Sequence, residues 1–142
     1  MQRTVSQKMG VKSESRAYFQ SAPDDAIKAI QLPSLSISKR LTGTFDYIHF
    51  FALSQAEMVK RLPALKKHLH LKGMLWVSWP KNKHLGTDLT IKEVIRIGYD
   101  TGLVESTALS IDSTWSGLKF TYPKKGKVYN NSYGTLKDEV VG

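Results

Sequence analysis

Cysteine is absent from the 142 residues, which excludes disulfides, thiol catalysis and thiolate-held zinc or iron–sulfur centres. Long apolar runs are absent too: no stretch reaches the roughly 18 residues of a membrane-crossing helix. The opening residues Met1 to Gly10 have no apolar centre of the kind a secretory signal carries. Together these point to a cytoplasmic protein without membrane association, held together by packing alone. Complete catalytic signatures are also missing, since no Ser-His-acid order, P-loop or dinucleotide fingerprint can be assembled.

Acidic residues are the scarcer charge, 12 against 21 basic, for a net +9. The imbalance is uneven. Residues 1–86 hold fourteen basic and five acidic side chains, whereas residues 87–122 hold three and five. Such a field attracts nucleic acid, acidic proteins or anionic small molecules, and it also serves solubility. With 41% hydrophobic and 23% charged residues the composition is that of a folded globular chain. The length suits one domain. The expected division is an N-terminal arm over 1–13, a single α/β domain over 14–122, and a basic, mobile tail over 123–142 with Tyr129 and Tyr133 tacked onto the body.

The stretch from Gly73 to Lys81, Gly-Met-Leu-Trp-Val-Ser-Trp-Pro-Lys, reads as a buried central strand between a glycine turn and a proline. Upstream, Ala17–Ser21 is a short aromatic strand, and Pro23-Asp24-Asp25 opens a helix to about Gln31, with acids where the helix dipole favours them. Leu35–Lys39 alternates as a half-exposed strand near an edge. Its direction is open, because only a few residues separate it from the next strand and a parallel crossover normally takes a dozen or more. Thr44–Ala52 has apolar residues on both parities and should be buried on both faces, as in parallel sheets.

Ser54 and Glu57 form a capping-box pattern ahead of Met58, Leu62, Leu65 and Leu69, an amphipathic helix that Pro63 should kink or split. Thr90 and Glu93 cap a second helix to Asp100 or Thr101, in which Gly98 implies close approach to the sheet. Leu103–Ile111 and Thr114–Tyr122 read as a hairpin turning at Asp112-Ser113.

This order resembles the C-terminal half of a class I methyltransferase. Phe45-Asp46 stands where those proteins open a strand with Phe-Asp, and Leu71-Lys72-Gly73 where a helix ends in a Leu-Lys-Pro-Gly-Gly-like turn. Trp76-Val-Ser-Trp-Pro-Lys81, Thr87-Asp-Leu-Thr90 and Trp115-Ser-Gly-Leu-Lys-Phe120 are similar to the signature of a small bacterial domain family of unknown function with a reduced methyltransferase-like fold, over about Met9 to Tyr122. The resemblance implies an α/β fold: a reduced Rossmann-like sheet, mostly parallel with a C-terminal antiparallel hairpin strand, and helices on both faces. It also implies where the chain departs from true methyltransferases. Their first strand ends in an acidic, glycine-rich loop against S-adenosylmethionine; here Gln20-Ser-Ala-Pro-Asp-Asp25 has no glycine, and side chains fill the space that a close backbone approach needs. Lys39 and Arg40 stand near the position of the acid that holds the cofactor ribose. Both departures disfavour S-adenosylmethionine, so no cofactor is expected.

Doubly wound sheets bind ligands outside the carboxyl ends of their strands. The candidate ligand residues there are Trp79 as a stacking face, Lys81, Lys83 and Arg40 as anion holders, and Ser21 and Asp24 on the first turn. Asp112, Trp115, Ser116 and Lys119 form a secondary group around the hairpin. No catalytic residue and no metal site is expected. His49 reads as a satisfied core histidine, and His68 and His70 point different ways. Three functions remain: a non-catalytic methyltransferase-like binding or regulatory module, as the leading reading; a methyltransferase with an atypical cofactor turn; and a nucleic-acid binder using the basic residues Lys60 to Lys72.

Overall fold

The computed structural model describes residues 2–136. One six-stranded sheet runs in the order β2-β1-β3-β4-β6-β5, built from β1 (Arg16–Gln20), β2 (Ser36–Ile37), β3 (Phe45–Phe51), β4 (Leu69–Pro80), β5 (Val104–Ser110) and β6 (Trp115–Thr121). Four helices cover it: α1 (Val5–Met9), α2 (Asp24–Ile30), α3 (Gln55–Lys67) and α4 (Ile91–Asp100). The strands β2, β1, β3 and β4 are parallel. β6 pairs antiparallel with both β4 and β5. The architecture is thus the mostly parallel α/β sheet with an antiparallel hairpin that the sequence leads one to expect. The direction left open for β2 is parallel, although only two of its residues pair and Ile37 is 56% exposed.

The pleat divides the core into two layers. Ile48, Phe50, Leu75, Val77, Leu118 and Phe120 point to one face, under Met58, Leu62 and Leu65 of α3 and Val94, Ile95 and Ile97 of α4. Tyr47, Phe51, Met74, Trp76 and Trp115 point to the other, with Ala26 and Ile30 of α2 and Met9 of α1 packed there. Gly98 is the closest approach on the first face. A Cβ there would overlap the Phe120 ring, so only glycine lets α4 settle on β6.

Two expectations need correction. Leu71-Lys72-Gly73 is not a turn ahead of the central strand. β4 already begins at Leu69, and between the pairs Phe45↔Leu69 and Tyr47↔Met74 it carries extra residues as a bulge. Leu71 is thrown out to 77% exposure while Gly73 is pressed in, where a Cβ would lie 2.9 Å from the Phe45 carbonyl. Pro63 does not split its helix, because α3 is continuous. The carbonyl that proline leaves without a donor belongs to Val59, a residue 55% exposed, where water can take the bond. Parts of the expected arm and tail touch the body, while most of residues 123–136 are exposed. Met9 is buried, the Ser6 hydroxyl donates to the Gln31 carbonyl at 2.7 Å, and Tyr129 and Leu136 pack against the α3/α4 layer. The expectation for residues 137–142 lies outside the described residues.

Candidate functional site

The parallel strands β1, β3 and β4 all end on one side of the sheet, and β6 starts there because it pairs antiparallel with Trp79 and Pro80. A cavity of about 710 Å³ opens at this carboxyl edge, between the end of β4, the hairpin and the start of α4. Its lining includes Trp79, Lys81, Lys83, Thr90, Ile91 and Ser116, with two lysines and no carboxylate. Ser116 enters by register: it lies directly opposite Trp79, so both side chains emerge on the same face.

Specific contacts hold the polar members. The Lys81 backbone N–H donates to the Thr114 carbonyl at 2.8 Å, and its ammonium donates to the Ser110 hydroxyl at 2.5 Å. The Thr90 hydroxyl and N–H both donate to Glu93, at 2.8 and 3.2 Å, which fixes the start of α4. The turn from Lys81 to Gly86 holds Asn82, Lys83 and Leu85 in the left-handed region, with φ of 53°, 58° and 56°. Such residues cost about 1 kcal/mol or more each and persist where the surroundings over-determine them. Trp79 is only 6% exposed. It is a wall of the cavity, with its ring largely inside the core, and does not offer the open stacking face expected from the sequence.

The candidates therefore divide. Trp79, Lys81, Lys83 and Ser116 come together. Ser21, Asp24 and Arg40 lie beyond the ends of β1 and β2 and do not line this cavity. Asp112 builds the hairpin turn, accepting the N–H groups of Thr114 and Trp115 at 2.8 Å each. Trp115 packs edge-on against Phe51 at 5.1 Å. Lys119 faces the opposite, amino edge of the sheet. Thr90, Ile91, Ala108 and Leu109 also line the cavity; reading the sequence misses them, because their approach depends on how the hairpin and α4 pack.

His49 is completely buried. Its Nδ1 lies 2.6 Å from the Tyr47 hydroxyl and its Nε2 2.7 Å from the Ser78 hydroxyl, while its ring stacks on Phe51 at 4.3 Å. Burial lowers its pKa to about 3 and pushes that of Tyr47 well up, so the chain of groups is neutral at ordinary pH. With no solvent access it acts on packing, as a satisfied core histidine does. Among the described residues no group of three or more His, Asp or Glu side chains could hold a metal ion. Nor is any described helix long and apolar enough to cross a membrane.

No protein-family model and no curated protein sequence matches the chain. Solved structures do. A 1,6-didemethyltoxoflavin-N1-methyltransferase from Burkholderia thailandensis superposes with a TM-score of 0.61 at 9% identity, covering 86% of this chain and 78% of that one. The ribosomal protein L11 methylase of Lactobacillus delbrueckii gives 0.54 at 12%, covering 84% and 75%. A precorrin-6y C5,15-methyltransferase from Geobacter metallireducens gives 0.56 at 8%, covering 84% and 86%.

The fold is that of the class I methyltransferases.

The methyltransferase fold implies a seat for S-adenosylmethionine at the turn after β1. The residues present do not fit it well. Ser21 keeps a left-handed backbone, φ 60°, but carries a side chain there. The first residue ahead of α2 is Pro23, which has no N–H to offer, and Asp24 and Asp25 place two carboxylates in the first turn. Beyond β2 stand the cations Lys39 and Arg40, where a ribose-holding acid would be expected.

Proposed function

We propose that this protein is a methyltransferase-fold module that binds a small anionic molecule with an apolar body, in the cavity between Trp79, Lys81, Lys83 and Ser116. The observation that carries the reading is the lining itself, which sets two cations and no carboxylate against the walls formed by Trp79, Leu89 and Ile91. Lysines serve phosphate and carboxylate groups as point charges, and a largely apolar cleft with few polar groups is the usual form of a ligand site. The position at the carboxyl edge of a parallel sheet supports it further.

Anilinonaphthalene sulfonate, an aromatic body with one anionic group, probes that chemistry. It should bind with enhanced fluorescence, and Lys81→Ala with Lys83→Ala should remove most of the signal while leaving the circular dichroism unchanged. Equal binding by the double variant would remove the site. Native mass spectrometry of freshly purified protein would give the mass of any retained molecule.

A second reading is S-adenosylmethionine-dependent methyl transfer. The comparisons favour it, since all three structures above are named for methyl transfer; the composition of the turn after β1 weighs against it. Calorimetric titration with S-adenosylmethionine decides between the two. Micromolar binding supports catalysis, whereas no heat at millimolar ligand leaves the binding module. Nucleic-acid binding has less behind it, because part of the α3 basic face is engaged. Lys66 donates to the Thr101 carbonyl at 2.8 Å and Arg61 to Gln20 at 3.0 Å.

A further inference from the structure

The opposite, amino edge of the sheet holds a second cavity of about 360 Å³, lined by Lys12, Lys72 and Lys119 together with Ser15, Asp46 and Gly73. The three lysines come from unrelated parts of the chain. Lys12 follows α1, Lys72 stands in the bulge of β4, and Lys119 lies on β6. The fold gathers them. The bulge places Lys72 there, and the left-handed turn at Gly10, φ 85°, brings the chain after α1 over β6, so that the Lys119 ammonium lies 3.8 Å from where a Gly10 Cβ would be.

No carboxylate of a described residue lies within 4.0 Å of any of these three ammonium groups. The one acid in the lining, Asp46, has an oxygen committed to the Arg16 N–H at 2.9 Å. Three ammoniums around one small concavity repel each other, a cost that a multiply charged anion reverses. The Ser15 hydroxyl adds a neutral donor to the lining. An anion held in the concavity would be partly shielded from solvent, where charge-assisted hydrogen bonds are strongest.

We propose that this cavity binds the phosphoryl group of a phosphorylated small molecule, through Lys12, Lys72 and Lys119. The site is independent of the cavity at the carboxyl edge, and its failure would leave that reading untouched. A confined cavity that gathers three elements suits one compact anion better than an extended strand of nucleic acid, whose phosphates need a continuous basic track.

Inorganic pyrophosphate is the probe. Titrated into the full chain at constant ionic strength, it should bind with measurable heat and raise the melting temperature. Lys72→Gln with Lys119→Gln should weaken it at least tenfold. Lys60→Gln with Lys125→Gln, which removes the same charge at exposed lysines that line neither cavity, should leave the affinity within twofold. No binding to the unaltered chain overturns the proposal, as does an equal loss in both double variants, which would mark a general effect of net charge. Undiminished affinity in the Lys72→Gln, Lys119→Gln double variant overturns it as well. A single-stranded oligonucleotide that competes at lower concentration than pyrophosphate would assign the cavity to nucleic acid.

Discussion

The two faces of the sheet are covered in different ways. Over one lie α3 and α4, of 13 and 10 residues, and the buried sheet residues beneath them are apolar: Ile48, Phe50, Leu75, Val77, Leu118, Phe120. Over the other lie α1 and α2, of 5 and 7 residues, and that face buries Tyr47, His49 and Ser78 in one hydrogen-bonded chain. Long amphipathic helices can seal a dry layer by themselves. Short ones cover less, and the face beneath them is filled by aromatic rings and by polar groups that satisfy one another. The first face should therefore be sensitive to volume and the second to pH.

The largest effect is expected at Gly98. An alanine methyl would overlap the Phe120 ring, and Phe120 has no exposed surface into which to move. Gly98→Ala should cost about 3 kcal/mol by overpacking, against the small gain that alanine normally gives inside a helix. Chemical denaturation measures it. Pairing it with Phe120→Leu should recover part of the loss, a coupling that a double-mutant cycle resolves. Additive losses would mean that α4 does not rest on Phe120.

The second face should respond to acid. His49 has its folded pKa lowered by burial, to about 3, below the roughly 6.5 of an exposed histidine. The unfolded chain thus takes up the proton that the folded one refuses. The neutral state's contribution is fully present above about pH 6.5 and declines as the pH falls toward 3, by about 2 kcal/mol at pH 5. His49→Gln should flatten the stability profile between about pH 6.5 and 5. A profile as steep as that of the unaltered chain would place the acid sensitivity elsewhere.

The contrast between the faces is half legible in the sequence. Apolar residues on both parities of Thr44–Ala52 imply burial on both sides, and Gly98 within a strong helical pattern implies the close approach. Tyr47 and His49, two apart on a strand, must share a face. Ser78 cannot be paired with them by pattern, because a partner 29 residues away depends on strand register. In β4 that register is shifted by the bulge at 70–73, which the glycine disguises as a turn. The candidate site shows the same limit. Trp79, Lys81 and Lys83 are near neighbours in the chain, so sequence reasoning groups them, and they line one cavity. It groups Ser116 with the hairpin and reads Thr90 only as a helix cap, since their place in the cavity follows from hairpin pairing and helix docking. It groups Lys119 with Asp112 around the hairpin by nearness in sequence, whereas the extended run of β6 carries that side chain to the other edge.

The smallest effect tests what the second face shares with the methyltransferase turn. Ser21 holds φ 60° with a side chain, a conformation that glycine adopts without penalty. Ser21→Gly relieves that strain but gives the unfolded chain more freedom, so the net change should be a stabilisation of about 0.5 kcal/mol or less. Its value lies in binding. If only the side chain keeps S-adenosylmethionine from the turn, the variant should bind the cofactor more tightly than the unaltered chain in a calorimetric titration. If Pro23, Asp24 and Asp25 are the larger obstacles, as a missing N–H and two repelling carboxylates imply, affinity should stay unchanged. A roughly tenfold gain from Ser21→Gly alone, about 1.4 kcal/mol of binding, would show that this face retains a cofactor seat closed by one side chain.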